Sequence, residues 1–156
     1  MTTRPRGRSR LARKLSWLAV ASLTATALFA PGATAQAADH PVAPNANSVM
    51  LVDGNPKCGE GQFETLKIDG TPANGTYGGA IVISNATNYS FDWAMTESAL
   101  HAYDMDAVIV KGGDNSFVYE YDDVTDDSDT NLVSPDNAGN QQAQISHVEF
   151  CFDQKL

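Results

Sequence analysis

The chain has 156 residues, with nineteen acidic side chains against ten basic ones and a formal charge of −9. Six of the ten basic residues fall within the first fourteen positions, so the rest of the chain is more acidic still. Affinity for phosphate backbones rests on lysine and arginine, so this balance excludes a nucleic-acid partner.

Arg4, Arg6, Arg8, Arg10, Arg13 and Lys14 precede every acidic residue, and an apolar, alanine-rich run occupies 15–30. Pro31-Gly32 and the small-residue run Ala33-Thr34-Ala35-Gln36-Ala37-Ala38 follow. This order is that of a secretory signal peptide over 1–37, with cleavage after Ala35, Ala37 or Ala38 and Ala37 favoured. The apolar run is short and diluted by Ser16, Ser22, Thr24 and Thr26, which disfavours a membrane anchor. Without that segment the chain keeps Lys57, Lys67, Lys111 and Lys155 against all nineteen acids, a formal −15. The expectation is a secreted protein with no membrane span after signal cleavage.

Residues 38–50 read as an N-terminal arm containing the proline-bearing stretch HPVAPNAN, with a short edge strand beginning at Ser48 and running to Val52. Asp53-Gly54-Asn55-Pro56 has turn chemistry. Gln62–Asp69 alternates through Phe63, Leu66 and Ile68, and the loop at 70–75 ends in an Asn-Gly turn signal. Strands are predicted at 80–84, around Ile81-Val82-Ile83, and at 89–95; 96–104 is the one candidate helical turn. Strands at 106–110 and 116–122 form a hairpin across Lys111-Gly112-Gly113, and 144–152 is the last strand. Short alternating strands without crossover helices predict an all-β, single-domain antiparallel β-sandwich, jelly-roll or immunoglobulin-like, over 51–156. Cys58 and Cys151 are the two cysteines. In an exported chain they read as one disulfide rather than two buried thiols. Closing a loop of roughly 90 residues contributes about 4–5 kcal/mol in the chain-entropy model.

Lys111 stands at the tip of an apolar strand, before two glycines. One reading is structural: its ammonium pairs with Asp106, Asp114 or the 122–129 segment while its stem covers apolar surface. Gly112-Gly113 then supplies the positive dihedrals of the turn. The other reading is a ligand-contacting lysine. Tyr89, Phe91 and Trp93 share one strand face, as do Phe117, Tyr119 and Tyr121. A core face is favoured over a sugar-stacking platform. Tyr103 and Tyr121, beside loops, are the members expected at the surface, and Tyr121 is a candidate ligand contact.

The segment 122–131 is expected to be an acidic loop, and Asp127, Asp129 and Asn131 have the one-three-five spacing that opens a calcium loop. Leu132 and Ala138 replace the Gly and Glu that an EF-hand requires, so a looser calcium site on Asp126, Asp127 and Asp129 is the candidate. Its alternative is a solvated acidic loop. His40, His101 and His147 are scattered, and no G-x-S-x-G, H-E-x-x-H or C-x-x-C occurs. The sequons at Asn74, Asn85 and Asn88 mark exposed loops.

Three stretches occur together: DAVIVKGG at 106–113, Tyr119–Asp122 followed by Ser128-Asp129-Thr130, and ISHVEFCF at 145–152. With the early Gly54-Asn55-Pro56-Lys57-Cys58, they resemble a β-rich domain of secreted and surface-attached bacterial proteins. Its pattern runs DAVIVKGG, Y.Y, SDTGLHAP and GLSHISFCY, and the resemblance spans roughly 51–152. Asn131 replaces the Gly of that pattern, and Leu132-Val133-Ser134-Pro135 lacks its His, so no role of that histidine carries over. The resemblance implies fold and export but carries no activity. The sequence reading is a non-catalytic extracellular binding or surface-associated module, its partner an extracellular ligand, glycan or surface protein. The alternative is a secreted hydrolase or enzyme inhibitor. No cofactor is implied beyond the candidate calcium ion.

Overall fold

The computed structural model describes residues 43–59, 64–122 and 125–155. The expected signal segment 1–37, the start of the arm, Gln62, Phe63, Asp123 and Val124 lie outside the described residues. The described strands are β1 (Ser48–Asp53), β2 (Glu64–Asp69), β3 (Gly75–Tyr77), β4 (Ile81–Ser84), β5 (Ser90–Met95), β6 (Tyr103–Gly112), β7 (Asn115–Glu120), β8 (Ser128–Val133) and β9 (Ile145–Gln154). The helical turn α1 spans Glu97–Leu100, capped by the Thr96 hydroxyl, which accepts from the Ala99 amide.

One sheet has the order β1-β7-β6-β9-β2 and the other β3-β4-β5-β8, with every pairing antiparallel. The fold is an all-β sandwich, as the alternation predicts. Register explains its core. Val108 of β6 lies between Tyr119 and Phe150, and Val110 between Phe117 and Val148, so one face of three strands is apolar. The facing sheet contributes Ile81, Ile83, Phe91, Trp93 and Leu132, all buried. Phe91 and Trp93 meet the Phe150 ring edge-on at 6.4 and 6.0 Å, which ties the two layers together. Both aromatic rows therefore serve the core, apart from Tyr89, which is exposed.

The outer face of the larger sheet has its own apolar cluster: Ala107, Ile109, Val118 and Cys151, with Val52 and Cys58 packed against it. The cause is covalent. Cys58 is bonded to Cys151 across a sequence separation of 93, which draws the segment after β1 over the outer face as far as β9. That cover accounts for the unbroken apolar run Ala107-Val108-Ile109-Val110: both faces of β6 are buried, so alternation gives way to continuity.

Three expectations differ from the structure. β3 (Gly75–Tyr77) starts at the last residue of the expected 70–75 loop, and no strand is expected there. The acidic segment ends in β8, which pairs with β5 across an irregular register at Asn131, whose φ is +57°. The described part of the arm, expected to lie outside the 51–156 domain, belongs to the sandwich: Ala43 is buried in the core, and β1, which begins at Ser48 as expected, pairs with β7. No described helix is long and apolar enough to cross a membrane.

Candidate functional site

Lys111 ends the inward-outward alternation of β6 on the outer side. Its ammonium donates to the carbonyls of Gly113 and Asn115 at 2.8 and 3.4 Å. These are backbone partners within its own hairpin, not the carboxylates expected, because the two-residue turn Gly113-Asp114 folds those carbonyls back within reach. Gly113 has φ +59°, as the first position of a type II′ turn demands. Gly112 has a different role from the one predicted. It lies in β6, and a Cβ there would come within 2.9 Å of the Ser134 Cβ. It is small because the 134–143 segment packs directly on its backbone.

Around Lys111 the register builds a polar row across the sheet: Ser116 on β7, His147 on β9 and Asp69 on β2. Lys67 and Asp69 form an exposed ion pair at 2.8 Å, which raises the lysine pKa and lowers that of the aspartate. Burial, and then the charge of Lys67, push the His147 pKa below its ordinary value; Glu149 and Asp69 oppose this. The Ser146 hydroxyl donates to the Lys111 carbonyl. His101 is exposed at the end of α1, far along the chain from this row, and His40 lies outside the described residues. Lys111, Ser116, Ser146, Lys67 and Asp69 are joined to backbone or to opposite charge, whereas the buried His147 Nε2 has no hydrogen-bond partner among the described residues.

Tyr121 is 2 % exposed, which overturns its expected place at the surface and removes it as a stacking platform. Its hydroxyl accepts from Trp93 Nε1 at 3.4 Å and donates to Asp129 Oδ2 at 3.1 Å. Tyr103 is half-buried against Phe152. Asp129, the central member of the candidate calcium set, is itself buried. Besides Tyr121, its Oδ1 accepts from the amides of Thr130 and Asn45 at 2.7 and 3.3 Å. Its oxygens therefore face protein donors inside the sandwich. Asp127 is exposed and accepts from the Ser128 hydroxyl, so the two acids point to different surroundings. Among the described residues no three acidic, histidine or cysteine side chains converge as metal ligands.

The feature that stands out as available for binding is an edge. Each sheet has two, and three are guarded. β2 carries the Lys67–Asp69 pair, β3 is three residues long, and β8 is interrupted by its register shift and by the positive φ of Asn131. Charge, brevity and irregularity are the usual protections of a strand edge. β1 has none of them over Ser48–Val52, and Met50 and Leu51 are 44 % and 55 % exposed. The sequence identifies this strand as an edge; the signal for its availability is the unbroken Val49-Met50-Leu51-Val52 without lysine or proline. The chain matches no family model, no curated protein and no solved structure.

Proposed function

We propose that the protein is a secreted, non-catalytic binding module that engages an extracellular macromolecule through the open edge of β1. The observation that carries this reading is the exposure of two large apolar side chains, Met50 and Leu51, on the described edge strand that is regular and carries no charge over Ser48–Val52. Apolar edge strands that stay soluble are sites where another chain adds. Export is supported by the order of basic, apolar and small residues at the N-terminus, and the Cys58–Cys151 bond is compatible with it. Seating the protein outside the cell, dissolved or held non-covalently at a surface, is also the natural use of a strongly acidic chain.

The test is site-specific photo-crosslinking in the producing culture. A benzophenone side chain at Leu51 should give a discrete adduct, while the same group at Thr130, on the guarded edge of β8, should give none. Equal labelling at both positions, or none at either, contradicts the reading.

A further inference from the structure

We infer that the β1 edge accepts an extended, antiparallel peptide segment with an uncharged centre and lysine or arginine at both ends. The inference rests on the binding-module reading above and names the chemistry of its partner. The direction of the free hydrogen-bonding groups follows from one contact. The Gly54 amide donates to the Asp114 carbonyl at 2.8 Å, in register with the β1–β7 pairs. Antiparallel ladders alternate, so Val52, Met50 and Ser48 also direct their amides and carbonyls to β7. Val49, Leu51 and Asp53 direct theirs outward, where a new strand would bind them. The side chains of Leu51 and Met50 flank that line of donors and acceptors on opposite faces of the sheet, so an added strand meets an apolar neighbour on each side.

Charge selects the partner. Asp53 and Asp114 stand at one end of β1, and Glu120 and Asp122 at the other; β1 and β7 contain no basic residue. Glu120 holds the Ser48 hydroxyl, and the Asp122 amide is fixed by Asn47 Oδ1, so the acids at this end sit on ordered backbone. A second copy of this chain would bring the same acids to the same edge, and like charges disfavour that pairing. A segment with basic ends and a short uncharged centre matches both ends and the middle.

Proline at Leu51 removes an outward amide and leaves the bonds to β7, so Leu51→Pro blocks strand addition without opening the sheet. The probe is the blocked peptide KKTVTVTKK, compared with EETVTVTEE, by titration of the protein lacking residues 1–37 followed through its amide NMR spectrum. The inference predicts shifts at Val49, Leu51 and Asp53 with the lysine peptide, at least tenfold weaker binding of the glutamate peptide, and loss of binding in Leu51→Pro. Equal binding of both peptides, lost in Leu51→Pro, overturns the charge selection and leaves the edge reading standing. Binding that survives Leu51→Pro, or no binding of either peptide, overturns both. Concentration-dependent dimers of the protein alone, abolished by Leu51→Pro, would make the partner a second copy and overturn the inference.

Discussion

Tyr121 and Asp129 meet inside the sandwich, the phenol donating to Oδ2 at 3.1 Å. Asp129 belongs to β8 in one sheet, and Tyr121 follows β7 in the other. With the Tyr119 hydroxyl, which donates to the Val133 carbonyl and accepts its amide, the contact pins an acidic strand against the core. A buried carboxyl group is tolerated only when donors satisfy it, and here three do. Polar bonds thus do for the first half of β8 what the apolar Leu132 and Val133 do for its second half.

Tyr121→Phe keeps the ring and removes the hydroxyl, leaving Asp129 Oδ2 and Trp93 Nε1 without this partner. An unsatisfied buried group costs about 1–3 kcal/mol. Urea unfolding of the variant should show a loss of that size with an unchanged slope. A loss within error of zero would mean that the Tyr121–Asp129 bond does not hold β8 in place.

Burial raises the pKa values of both Tyr119 and Tyr121 well above the ordinary tyrosine value. The folded pKa of each lies above the unfolded one, so the stability they contribute is complete below about pH 10 and is lost as the pH rises beyond it. Both should ionise only as the protein unfolds in alkali, which a tyrosinate absorbance titration beside circular dichroism would resolve. Ionisation of both in the folded protein near pH ~10 would contradict the buried network.

Much of the fold was legible because alternation reports burial directly: Ile81 and Ile83, Phe91 and Trp93, and Phe117 and Tyr119 all face the core. β8 was not legible, since Ser128-Asp129-Thr130-Asn131 reads as solvated and becomes a strand only through Tyr121, Trp93 and the Asn45 amide, which are distant in sequence. The same distance hid the role of Gly112, whereas the carbonyls that Lys111 holds lie within its own hairpin. Turn chemistry explains Gly113, whereas the close approach of Ser134 to Gly112 is a tertiary contact that no local pattern encodes. Of the candidate sites, the disulfide followed from compartment logic, while β1, readable as an edge strand, stood out as the unguarded one only once the other edges were known.

Lys111→Met deletes the ammonium of a half-buried lysine whose partners are carbonyls. Near neutral pH its cost should be about 0.5–1.5 kcal/mol, the net worth of an ordinary hydrogen bond; in mild acid the loss is smaller, because the Lys111 charge helps hold the His147 pKa down and its removal relieves repulsion with the imidazolium. Gly112→Ala forces a Cβ toward Ser134 and should cost about 1–3 kcal/mol by overpacking. Thermal unfolding of both variants checks the order: Gly112→Ala melts lower than Lys111→Met. The reverse order at neutral pH, with Lys111→Met the more costly change, would restore the carboxylate-paired lysine.

Asp129 spends its oxygens on protein donors, which takes the central residue out of the Asp126, Asp127 and Asp129 set. Millimolar calcium should therefore raise the melting temperature no more than sodium at equal ionic strength. A rise of several degrees specific to calcium, lost in Asp127→Asn, would show that the acidic segment rearranges around the ion.

Amide hydrogen exchange along β1, residue by residue, tests the central claim most directly. An open edge predicts that Met50 and Val52, bonded to β7, exchange slowly, while Val49, Leu51 and Asp53 exchange at rates near those of an unprotected chain. Protection at all five positions would mean that the edge is already covered, and would contradict the assignment of β1 as the binding surface.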